Sequence, residues 1–174
     1  MGTGQILLVI VGVAALMILF KFLFIGSPQQ SRDGSRGGSA TKRIGAVAKQ
    51  ATVFADAAMR LVNRAAFKLD DPRINAALFM AGAVGYLADR AGLGDADRSA
   101  ITGVVLERAG LMTNGEAYGF VADLLTLSAS SPEAQWVDKG RETAHAWLSK
   151  KDDSAPAKLA DYVHEWAMAG VANI

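Results

Sequence analysis

The chain has 174 residues, 51% of them hydrophobic and 20% charged, and it contains no cysteine. Disulfides, thiolate metal sites and cysteine nucleophiles are therefore excluded, and the length allows one domain with a sizeable segment outside it. The net charge of +1 argues against a dedicated nucleic-acid binder, but it averages two unlike parts: residues 1–68 carry nine basic against two acidic side chains, residues 69–174 nine against fifteen.

Residues 1–26 are predicted to be a transmembrane anchor. Residues 6–20, ILLVIVGVAALMILF, contain no polar side chain, and residues 22–25 extend the run past Lys21. As a helix, residues 5–25 span about 31 Å, matching a hydrocarbon core of about 30 Å. Lys21 lies near one end, where its long stem carries the ammonium to the headgroups beside Phe20, Phe22 and Phe24. The basic n-region and small-residue cleavage site of a signal peptide are missing, so the segment is read as retained. Basic residues lie on one flank only, at Lys21, Arg32, Arg36, Lys42 and Arg43, with Lys49 further on. This bias predicts the N-terminus outside and the following domain in the cytoplasm, its basic zone facing anionic headgroups of the bilayer.

Residues 27–42, rich in Gly and Ser, read as a flexible linker. Residues 43–174 read as an all-α domain of about six helices, with no period-2 strand pattern. The first helix is predicted over residues 43–68, where Ile44, Val47, Ala51, Phe54, Ala58, Leu61 and Ala65 recur at steps of three and four. Asp70, Asp71 and Pro72 open a second, whose AALFMAGAVGYLA is apolar all round and predicts a buried central helix. After a turn at Gly92, Asp95 or Asp97 caps a third, ending near Ala109. Thr113 and Glu116 form a capping box for the fourth, with Tyr118, Val121, Leu124 and Leu125 as its apolar stripe. Ser131 and Pro132 open the fifth, with Trp136, Val137, Gly140, Ala144, Trp147 and Leu148 inward. Ser154 and Pro156 open the last, whose core face is Leu159, Tyr162, Val163 and Trp166.

The chemistry-bearing pattern is Glu142-x-x-His145 with Asp161-x-x-His164, which holds both histidines of the chain. Glu-x-x-His puts two ligands one turn apart, as in di-metal carboxylate bundles. At about 100° per residue, however, all four side chains fall opposite the apolar faces of their helices, whereas bundle ligands project inward. Phosphate-binding loops, dinucleotide fingerprints and nucleophile elbows are missing from the sequence, and no cofactor is predicted.

The layout of anchor, linker and small helical domain resembles that of membrane-bound co-chaperones carrying a tellurite-resistance-type helical domain, without the His-Pro-Asp of a J-domain. The reading favoured by the residues is a non-enzymatic single-pass membrane protein whose helical domain binds a protein partner or joins a membrane assembly. The alternatives are a helical metal-binding protein or metalloenzyme using Glu142, His145, Asp161 and His164, and a protein that binds anionic lipid surfaces through its basic zone.

Overall fold

A computed structural model describes the backbone of residues 37–172 and the side chains of residues 39–168. The anchor expected over residues 1–26, with Lys21, Phe20, Phe22 and Phe24, lies outside them, as do Arg32 and Arg36. The described residues hold six α-helices and two short 3-10 turns, and no strand. Among them no helix is long and apolar enough to cross a membrane. The helices are α1 (Gly37–Met59), α2 (Asp70–Arg90), α3 (Asp95–Arg108), α4 (Asn114–Leu124), α5 (Ala134–Ser149) and α6 (Lys158–Ala172), with 3-10 turns at Arg64–Lys68 and Ala155–Ala157.

Helix α2 is the axis of the fold. Every residue from Ala76 through Gly85 is buried, as a sequence apolar on all sides requires. Helix α5 runs along it at backbone contact. A Cβ added at Gly82 would lie 1.9 Å from the Val137 carbonyl oxygen, and one added at Gly140 would lie 1.9 Å from that of Phe79. Only glycine permits this approach. Helix α1 closes another side through buried Phe54, which stacks on Phe79 (ring centroids 6.2 Å apart) and meets the edge of Trp147 at 5.5 Å. Leu159 and Val163 of α6 complete the core.

Two turns follow one rule. Gly92 (φ +65°) and Gly110 (φ +70°) adopt the left-handed conformation that ends α2 and α3. Leu93 N–H then donates to the Ala88 carbonyl and Leu111 N–H to that of Leu106, burying both leucines beside the turn.

The first helix differs from the expected residues 43–68. It begins at Gly37, six residues inside the stretch read as linker, and ends at Met59. Ser39 to Arg43 are acceptable helix formers, and extending an existing helix adds one hydrogen bond per residue ordered. At the other end Asn63 starts the 3-10 turn, its side chain accepting from Ala65 N–H at 3.1 Å. The predicted apolar seam consequently holds from Val47 to Ala58 and stops there: Leu61 is 67% exposed. Asp70, Asp71, Asp95 and Asp97 occupy first turns rather than cap positions, which belong to Leu69 and Gly94. First-turn carboxylates still favour the positive end of the helix dipole. The Thr113–Glu116 capping box is present as expected.

Candidate functional site

Helix α4 contributes little to the core. Its expected apolar stripe does not enter the core: Ala117 is its one buried residue, Tyr118 is exposed, and Leu125 just beyond it is 64% exposed. Val121 and Leu124 are half-buried and, with Leu125 and Leu127, form one wall of a cleft of about 370 Å³. Ala81, Gly82 and Gly85 of α2 also line it, as do Val137, Asp138 and Arg141 of α5 and Arg98, Ser99 and Thr102 of α3. The volume falls at the lower end of the range for ligand clefts, roughly 300–1,000 Å³.

The polar edge of the cleft is held by one carboxylate. Asp89 of α2 accepts from Arg98 of α3 through Oδ1 and from Arg141 of α5 through Oδ2, the latter at 2.7 Å. Asp95 adds a 3.6 Å pair to Arg98 Nη1. Both guanidiniums are thereby directed along the edge of a cleft whose lining mixes apolar side chains with Ser99, Thr102 and Asp138. The Nε–H of Arg98 is shielded from solvent and meets no hydrogen-bond acceptor among the described residues. Gly85 leaves room for Arg141, whose Nη1 would lie 3.1 Å from a Cβ there.

A second polar cluster flanks Asp89 along α2. The Tyr86 hydroxyl and Ser149 Oγ are 2.9 Å apart, and Arg90 Nη1 donates to the same Oγ at 3.1 Å. The bond with Ser149, helped by the adjacent Arg90, holds the Tyr86 phenol below its ordinary range.

Glu142, His145, Asp161 and His164 are all exposed, on α5 and α6. The ring of His145 rests edge-on against Tyr86, with centroids 5.5 Å apart. Among the described residues, no three His, Asp or Glu side chains are gathered as a metal site would need. Of the basic zone, Lys42, Arg43 and Lys49 are all exposed, and Arg43 Nη1 donates to the Ala91 carbonyl at 3.3 Å at the C-terminal end of α2.

Asp89, Arg98 and Arg141 carry no local signature in the sequence. Arg98 is nine positions from Asp89 and Arg141 is 52, so no local spacing links them. Comparison of the chain with protein-family models, with characterised proteins and with solved structures finds no match in any of the three.

Proposed function

We propose that this chain is a non-enzymatic, single-pass membrane protein whose cytoplasmic helical domain binds an amphipathic segment of a protein partner in the cleft beside α4. The observation that carries the reading is the cleft itself. Its lining joins the apolar side chains Val121, Leu124, Leu125 and Leu127 to Arg98 and Arg141, which Asp89 holds. A partner's apolar face laid against Val121, Leu124, Leu125 and Leu127 would complete their burial. Helix-in-groove binding uses the same two ingredients, apolar anchors and a polar group that sets direction.

The membrane part of the proposal rests on residues 1–26 and on the basic flank of Lys21, Arg32, Arg36, Lys42 and Arg43. Anchoring confines the domain near the bilayer and raises the local concentration of any membrane-bound partner.

Photo-crosslinking from position 125 of the full chain in native membranes tests the binding role. A discrete adduct is expected that disappears with Leu124→Glu while the helical circular dichroism is retained. Adducts that are diffuse, or that survive Leu124→Glu unchanged, overturn it. Protease protection of a C-terminal tag in spheroplasts tests the orientation, and digestion of the tag without lysis overturns that part alone.

A further inference from the structure

On α5, Trp136 and Lys139 lie about half a turn away from Ala134, Val137, Asp138 and Arg141, which face the cleft. They meet Tyr162 and Trp166 of α6. The rings of Trp136 and Tyr162 are 6.0 Å apart and tilted by 55°, and Trp166 stands nearly perpendicular to Trp136 at 4.6 Å. All three rings are half-buried. Between the two tilted faces lies the ammonium of Lys139, with Nζ 4.1 Å from the Trp136 centroid and 4.6 Å from that of Tyr162. Tyr162 also meets Phe79 of the core in an edge-type contact at 6.0 Å, so this wall is held by the fold.

The surroundings carry the opposite charge. Glu142, Glu165 and Asp161 act on the Tyr162 phenol, which burial chiefly, and these carboxylates secondarily, push above its ordinary range. Glu142 and Asp161, two members of the E-x-x-H and D-x-x-H pattern, thus lie near enough to act on the Tyr162 phenol.

We propose that Trp136 and Tyr162, backed by Trp166, form a binding site for a methylated ammonium group, with Lys139 as its built-in occupant. Aromatic faces attract a cation within about 6 Å of the ring centroid, and the site already holds one at shorter range. A primary ammonium is strongly hydrated and gives up water reluctantly. A quaternary ammonium has no N–H to hydrate and covers both rings with methyl groups, so it gains more from the same walls. Displacement is cheap for Lys139, which is half-buried on a flexible stem and has Glu142 three residues on along the helix. The chemistry fits a free choline-like molecule or the headgroup of a choline lipid.

Two of the three tryptophans belong to the site, while Trp147 packs against Phe54, so intrinsic fluorescence reports binding. The full chain, in a detergent lacking choline, is titrated with choline chloride and with tetramethylammonium chloride at matched ionic strength. The neutral isostere 3,3-dimethylbutan-1-ol serves as control. A saturable change is expected with both cations and not with the alcohol. Lys139→Ala should tighten binding about two- to fivefold, the value of one exposed cation–π contact. Glu142→Lys should weaken it, and Tyr162→Leu should abolish it. Vesicles of phosphatidylcholine and of phosphatidylglycerol separate the sources: a response to the former alone assigns the lipid headgroup, and a response to free choline alone assigns the small molecule. No saturable change in either the wild type or folded Lys139→Ala overturns the proposal, and so does an equal response to the alcohol. None of these variants touches the cleft, so the partner-binding proposal stands or falls separately.

Discussion

Gly140 of α5 lies directly on Phe79 of α2, so close that a Cβ at position 140 would stand 1.9 Å from the Phe79 carbonyl oxygen. Gly82 meets Val137 in the same way from the other side. The obstacle in each case is backbone, which has no rotamer to move aside. Gly140→Ala should therefore cost at least about 1–3 kcal/mol by overpacking, despite the better helix propensity of alanine. Gly119→Ala on α4, where a Cβ meets nothing within 4 Å, should instead stabilise by about 0.5–1 kcal/mol. Urea denaturation of both variants checks the contrast, and equal effects would refute the backbone contact.

Helix α1 offers a second pairing of outcomes. Phe54 is fully buried between Phe79 and Trp147, and Phe54→Ala should lower stability by about 3–5 kcal/mol. Leu61 lies beyond the end of the helix, and Leu61→Ala should change stability by less than about 0.5 kcal/mol. A large loss at Leu61 would restore the longer helix expected from periodicity.

Glu116 predicts an acid limb. Its carboxylate accepts from the Thr113 backbone N–H at 2.7 Å and from the Thr113 hydroxyl at 2.8 Å, and it pairs with Arg73 at 3.1 Å. The Thr113 bonds chiefly, with Arg73 adding, lower its pKa from 4.5 to about 2. A depressed carboxylate pKa stabilises the fold above the unfolded value and loses that contribution as pH falls from 4.5 towards about 2. Thermal denaturation of Glu116→Gln against wild type should show a gap at pH 7 that narrows across this window and closes at its acid end.

Asp89→Asn separates stability from recognition. The carboxylate is shared by two guanidiniums, but every partner is a third or more exposed, so the stability loss should stay near or below about 1 kcal/mol. Without the shared carboxylate Arg141 loses its ion pair and Arg98 keeps only the 3.6 Å pair to Asp95, so both are held less firmly at the cleft edge. The crosslink from position 125 should weaken markedly while the melting temperature shifts little.

Much of the architecture was legible because it depends on neighbours along the chain. Among the described residues, the all-α class, the six helices, the buried α2, the Thr113 capping box and the glycine turn at Gly92 follow from spacing and from residue chemistry within a few positions. The E-x-x-H pattern was visible for the same reason, as was its outward direction on α5 and α6. An i, i+3 relation such as Trp136 to Lys139 was equally readable, and it becomes a cation site only once Tyr162 is set beside it.

What only the tertiary structure decided is how the helices face one another. Periodicity identifies an apolar stripe but not whether a neighbour covers it, so the stripe of α4 reads like those of α5 and α6 yet lines an open cleft. Asp89 joins residues 9 and 52 positions away, and Trp136 meets Tyr162 across two helices. Local propensity carries no information about such distances. For Asp89 and Arg141 the distance is set by the packing of α2 on α5, which Gly82 and Gly140 let close to backbone contact, while Arg98 and Tyr162 are brought in by the packing of α3 and α6.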